Sequence, residues 1–334
     1  MRVAVDAMGG DYAPAEIVKG AVGAASLYDI EVVLVGDERA IEAHLSRRAG
    51  DGRVLIEHTP DCIRMDEQVN CVRTKPRASV VVAAEMVRDG EADAMISVGN
   101  TAAAMAVAAL KLGRIPGIER PAIATIVPSR GGNTILLDAG ATADCTVDNL
   151  LQFAIMGSIY AEKVLKKPRP RVGLLSIGEE PTKGNDLTKA AHSALRRTDL
   201  NFIGNVEGRD LFTGIADVVV ADGFVGNVAL KASEGIADFI LSQLKELQNR
   251  KLLRIPLFFL KAALTDLKNE FDYAQYGGAP LLGVNGVSIV GHGRSMAKAV
   301  SNAIRADKEA VDRRIIDCIK TSLPMQERSP AAGG

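Results

Sequence analysis

Four short segments set polar side chains beside glycines in a way that suits anion chemistry. Lys183 stands in Gly178-Glu179-Glu180-Pro181-Thr182-Lys183-Gly184-Asn185, just past an apolar run. There a flexible cation can reach an anionic substrate, or remain an ordinary solvated lysine. Asn227, in Gly223-Phe224-Val225-Gly226-Asn227, can cap the helix that continues through Lys231 or hydrogen-bond a ligand. His292 lies between Gly291 and Gly293 with Ser295 close behind, a donor pair for phosphate or for a developing oxyanion. Asn100 and Thr101 follow Ser97-Val98-Gly99 and can cap the next helix or donate to a ligand. His44 and His192 fall on helix patterns and His58 ends a strand, so all three read as structural.

Absent patterns narrow the chemistry. The chain has no G-x-S-x-G elbow, no H-E-x-x-H, no Walker loop and no G-x-G-x-x-G, since GHGRSM at Gly291 to Met296 fails at its last position. Cys62, Cys71, Cys145 and Cys318 form no C-x-x-C pair, so neither a zinc site nor a disulfide framework is expected, and a reduced, cytosolic compartment follows. What remains is chemistry in which the protein positions and polarises two substrates without a covalent intermediate.

The elements that must position these groups alternate along the chain. Strands are expected at Val3 to Ala7, Glu31 to Val35, Val54 to Glu57, Ala94 to Val98, Ile123 to Val127, Thr134 to Asp138, Val172 to Ser176, Phe202 to Val206, Val218 to Ala221 and Val287 to Val290. Helices are expected at Ala15 to Leu27, Ser79 to Arg88, Ala102 to Leu110, Asn149 to Leu165, Leu187 to Arg196 and Arg294 to Lys320. The alternation argues an α/β fold with a doubly wound, largely parallel sheet. Six strands end in small residues and glycine before a helix: VAVDAMGGD, MISVGNT, ILLDAGAT, GLLSIGEE, VVVADGFVGN and SIVGHGRS. In an open sheet such turns gather at the carboxyl tips, where helix N-termini offer unpaired N–H groups to anions.

The 334 residues suit one large domain over 1–322, in one or two lobes, with a flexible tail at 323–334. Forty basic and 41 acidic side chains leave a net charge of −1, so no global field holds nucleic acid. No leader is visible, and the apolar stretch Leu252 to Leu264 is broken by Arg254, Pro256 and Lys261, so no spanning helix is expected. An amphipathic helical hairpin is expected over 235–268, with Ile236, Ile240, Leu244 and Leu247 on one stripe of its first helix. In its second helix Leu257, Phe258, Phe259 and Leu260 widen the apolar surface, which suits contact with a membrane or burial in a dimer interface.

Taken together, DAMGGDYAP (Asp6 to Pro14), SVGNT (Ser97 to Thr101), IGEEPTKGN (Ile177 to Asn185), GFVGNVALKASEG (Gly223 to Gly235), EFDYAQYGGAPLLGVNG (Glu270 to Gly286) and GHGRS (Gly291 to Ser295) resemble the PlsX family. The similarity runs from Val3 to about Ala310. The resemblance implies a fold similar to phosphate acetyltransferases and isocitrate and isopropylmalate dehydrogenases, a homodimer, and no metal or organic cofactor. It implies transfer of a long acyl chain from acyl carrier protein to inorganic phosphate, supplying acyl phosphate to a downstream membrane glycerol-3-phosphate acyltransferase. The implied place is the cytoplasm, peripherally associated with the inner face of the membrane. Carried over through matching motifs, Lys183, Asn227 and His292 are the expected catalytic residues. Asp6, Gly9, Gly10, Asp11, Asn100, Thr101, Asn185, Lys231 and Ser295 are expected to bind substrate. Ala102, Thr142 and Ser176 depart from the family pattern, each still small or polar. A short-chain acyl-coenzyme A phosphotransacylase and a non-catalytic membrane scaffold for lipid-synthesis enzymes are the alternatives.

Overall fold

The computed structural model describes residues 1–45, 52–249 and 275–323. Short runs rich in valine, isoleucine and leucine, most of them buried outside β3, make eleven strands among these residues: β1 (Arg2–Asp6), β2 (Glu31–Gly36), β3 (Val54–His58), β4 (Ala94–Ser97), β5 (Ala122–Ser129), β6 (Gly132–Leu137), β7 (Val172–Leu175), β8 (Phe202–Val206), β9 (Val218–Val220), β10 (Ala279–Leu282) and β11 (Val287–Val290). They join in one sheet of order β3-β2-β1-β4-β11-β10-β5-β6-β9-β7-β8. Strands hydrophobic on both sides need helices on both faces. One face carries Ala15–Tyr28, Val147–Lys163, Asp186–Leu195, Ala297–Asp312 and Ile315–Ser322. The other carries Ser79–Arg88, Thr101–Lys111 and the first turns of Gly223–Asn249.

The expectation of a largely parallel sheet holds at each end and fails at the centre. β3, β2, β1, β4 and β11 are mutually parallel, as are β6, β9, β7 and β8. Between the two blocks, β10 is antiparallel to β11 and β5, and β5 is antiparallel to β6. The two blocks therefore run in opposite senses. β10 escapes the sequence reading because it is four residues long, contains Pro280 and lies in a glycine-rich stretch.

Two helix expectations are also corrected. Arg294 to Lys320 is not one helix: Arg314 takes a left-handed φ of 49°, and the chain restarts at Ile315 so that Ile315 and Ile319 reach the core. Gly235 to Leu247 is not a separate element but part of a continuous 27-residue helix that starts at Gly223. Its Ile236, Phe239 and Ile240 are exposed. The second helix of the expected hairpin, with Leu257, Phe258, Phe259 and Leu260, lies outside the described residues, as does most of the expected tail. No helix among the described residues is long and apolar enough to cross a membrane.

Candidate active site

The tips of β1, β4 and β11 press together backbone to backbone. A Cβ on Gly9 would lie 2.5 Å from Asp6 Oδ2 and 3.0 Å from Gly99 Cα, so only glycine allows this approach. Gly10 holds a φ of 102°, and the Asp11 amide donates to the Gly293 carbonyl at 2.8 Å. Asp6 sits beneath these turns. Its carboxylate accepts from Ser79 Oγ and Ser97 Oγ at 2.6 Å each and from the Met8 amide. Burial pushes its pKa up against those hydrogen bonds. Asp6 thus organises the turn from below, where the sequence reading had it facing substrate. Asn100 is also occupied internally. Its Oδ1 accepts from the Ala103 amide as the cap of Thr101–Lys111, and its Nδ2 donates to the carbonyls of Met65 and Glu67. Ser295 donates its amide to the His292 carbonyl at 2.8 Å, while its buried Oγ has no hydrogen-bond partner among the described residues.

A second buried aspartate, which sequence reasoning missed, does the same work at the tip of β6. Asp138 accepts from the amides of Ile123, Gly140, Ala141 and Thr142 at 2.7 to 3.0 Å. Its desolvation raises the carboxyl pKa, and those four donors oppose the rise. The signal was present in the sequence, since ILLDAGAT repeats the aspartate-then-glycine strand ending of VAVDAMGGD.

Onto the Asp138 turn docks the start of the helix Gly223–Asn249. A Cβ on Gly223 would lie 2.5 Å from the Thr142 carbonyl oxygen and 2.7 Å from Asp138 Oδ2, and one on Gly226 would collide with the Asp138 carbonyl. The cap is Asp222, whose Oδ1 accepts from the Val225 amide at 2.9 Å. Asn227 is therefore not a cap. It lies within the second turn of the helix, its side chain against Gly140.

Between the helices Thr101–Lys111 and Gly223–Asn249, over the antiparallel strip of β5 and β10, opens a cleft of about 360 Å³. Thr101, Asn227, Lys231 and His292 line it, so the structure brings together four of the expected site residues from both parallel blocks. Met105, Ile123, Ile126, Leu230 and Val290 supply an apolar floor, and Tyr276 and Glu234 complete the polar groups. Lys231 Nζ pairs with Glu234 Oε2 at 2.7 Å. His292 Nδ1 accepts from the Arg294 amide at 3.2 Å, which in the neutral ring leaves the proton on Nε2.

Lys183 and Asn185 are not in this cleft. Asn185 caps the helix Asp186–Leu195 and lines a neighbouring groove of about 400 Å³ with Ser176, Ile177, Thr188, Asp222 and Val225. Lys183 is exposed on the loop between Ile177 and Asn185. The first two turns of Gly223–Asn249 separate the two hollows, contributing Val225 to one and Asn227 to the other.

The family described as fatty acid synthesis protein matches residues 1–317. The chain belongs to it. A phosphate acyltransferase of Pelotomaculum thermopropionicum is 52% identical over 335 residues, covering all of this chain and 98% of the relative. Another, of Desulforamulus reducens, is 49% identical over 324 residues and 97% of each chain. The PlsX resemblance read from the motifs therefore holds across the chain's length. A phosphotransacetylase from Streptococcus pyogenes superposes with a TM-score of 0.63 at 16% identity, over 92% of this chain and 94% of its own, which establishes the shared architecture.

Proposed function

We propose that the protein is a phosphate acyltransferase that moves a long acyl chain from the thioester of an acyl carrier protein to inorganic phosphate. The observation that carries this reading is the cleft. Its mouth gathers a lysine, an asparagine, a histidine and a threonine, while its floor is apolar, so an anion and an alkyl chain can be held side by side. Family membership and phosphate acyltransferases about 50% identical over nearly the whole chain support the same chemistry.

Phosphate brings its own nucleophilic oxygen and a thiolate leaves readily, so no serine or cysteine nucleophile is required. In the reaction an oxygen of hydrogen phosphate attacks the thioester carbonyl carbon, the C–O bond forms, the C–S bond breaks, and the departing thiolate takes the proton that the phosphate gives up. Lys231 and Asn227 hold phosphate. The Nε2–H of His292 donates to the oxygen that gains charge in the tetrahedral transition state, a contribution of about 3 kcal/mol per well-aimed donor. Lys183, exposed and outside the lining of the cleft, takes no part in the reacting step. The exposed Ile236, Phe239 and Ile240 support an apolar contact by this helix, with a membrane surface or with a second copy in a homodimer.

The test is mass-spectrometric detection of acyl phosphate from matched acyl-carrier-protein and acyl-coenzyme A donors, with and without phosphate. Acyl phosphate is expected from the carrier-protein donor, and His292→Ala and Asn227→Ala should each lower kcat roughly 10²- to 10³-fold with an unchanged melting temperature. Product from a short acyl-coenzyme A alone would select the phosphotransacylase reading. Absence of product from either donor would leave the scaffold reading.

A further inference from the structure

The segment between β3 and the helix Ser79–Arg88 closes on itself outside the cleft. Its ends are pinned by the Ser79 amide donating to the Asp61 carbonyl at 2.9 Å and by Thr59 Oγ1 donating to the Arg77 carbonyl. Inside, Lys75 Nζ donates to the Cys62 carbonyl at 3.0 Å and pairs with Glu67, while Ile63, Cys71 and Val72 are buried. This is a compact Ω-loop with a packed interior, a kind of element often used for recognition.

Its outer surface is cationic. Residues 62–77 hold Arg64, Arg73, Lys75 and Arg77 against Asp66 and Glu67, and Lys75 is committed to Glu67. Arg64, Arg73 and Arg77 are exposed and have no ion-pair partner among the described residues. In a chain of net charge −1 this is a local field, not a by-product of an overall basic surface.

The loop is fixed beside the cleft. The two hydrogen bonds from Asn100 Nδ2 bind its Met65 and Glu67 carbonyls to the start of Thr101–Lys111, and the Met65 side chain lies on Gly293, next to His292. None of residues 62–77 lines the cleft, so their charges cannot serve a ligand held wholly inside it. They suit a partner larger than the cleft's contents whose cargo enters there. The exposed apolar residues of the loop are few, chiefly Met65 and Val69, which fits a polar protein surface better than insertion into lipid.

We propose that the Ω-loop of residues 62–77 is the platform on which the acidic protein that carries the acyl thioester docks, with Asn100 holding the platform in register with the cleft. This rests on the carrier-protein reading of the donor given above. The charges steer and orient the encounter, so they act on KM and on salt dependence rather than on the chemical step.

The test is the triple variant Arg64→Gln, Arg73→Gln, Arg77→Gln in the full chain, measured for acyl phosphate formation from acyl-carrier-protein and from acyl-pantetheine, which lacks the protein. The expected result is a KM for the carrier-protein donor raised at least tenfold with a flattened salt dependence. kcat, the KM for phosphate and the rate with acyl-pantetheine should stay at wild-type values, which also shows that the variant folds. An unchanged KM for the carrier-protein donor would overturn the platform while leaving the proposed reaction standing. So would weakened binding to vesicles of anionic phospholipid with that KM unaltered, which would assign the loop to lipid. Wild-type product from acyl-pantetheine but none from acyl-carrier-protein would remove the partner, and no acyl phosphate from any donor would remove the reaction itself.

Discussion

Replacing Gly223 by alanine tests whether the seat of the helix Gly223–Asn249 on the Asp138 turn sets the geometry of the cleft. The new methyl would stand 2.5 Å from the Thr142 carbonyl oxygen, where ordinary contact begins at 3.4 Å. Neither that carbonyl nor the Asp138 carboxylate at 2.7 Å is the free end of a flexible side chain, and the carboxylate is held by four amides. The helix start must therefore retreat by roughly 0.9 Å, carrying Asn227 and Lys231 with it. A displacement near 1 Å at a positioning element costs about 10²-fold in rate. The assay is the steady-state rate of acyl phosphate formation beside a thermal melt. Gly235→Ala is the control, because it lies on the same helix and a Cβ there meets nothing within 4 Å. That control should keep full activity and gain up to about 1 kcal/mol from helix propensity. Wild-type kcat/KM in Gly223→Ala would refute the argument that this contact positions the site.

Three further outcomes are expected. Glu234→Gln releases Lys231 from its exposed ion pair, so the KM for phosphate should fall roughly two- to fivefold, the range such pairs cover, as read by varying phosphate at saturating donor. Ser295→Ala removes a buried hydroxyl that has no partner among the described residues, so the melting temperature without phosphate should hold or rise, while the shift produced by added phosphate should shrink if Oγ binds the anion. Asp307 is fully buried, both its carboxylate oxygens lack partners among the described residues, and desolvation raises its pKa well above the usual range. The unfolded chain loses that proton near pH 4 and the folded one does not. Stability should therefore decline with rising pH by about 1.4 kcal/mol per unit between the two pKa values, and Asp307→Asn should flatten the decline in urea titrations at pH 4.5 and 7. Equal slopes for the two proteins would remove this account.

The sequence by itself determined the class of fold and the places where chemistry can occur. Ten of the eleven strands among the described residues are foreshadowed by local apolar patterning, and the motifs that mark the family are local as well. His292 and Asn227 were legible as candidates because each is a polar side chain beside glycines shortly after an apolar strand pattern.

Tertiary structure alone decided the sense of the sheet and the membership of the cleft. Three antiparallel pairings, β11 with β10, β10 with β5 and β5 with β6, turn the second parallel block against the first and lay the β5 and β10 strip under one cleft, a long-range arrangement that no periodicity encodes. For the same reason Lys183, Asp6 and Asn100, alike as motif residues, part ways in space. One is exposed on the loop before Asn185, one lies buried under a turn with its oxygens occupied, and one ties a distant loop to a helix start. A side chain's partners depend on which atoms the fold carries to it, and those come from segments as far as 281 residues away, as where the Ala297 amide donates to Glu16 Oε2.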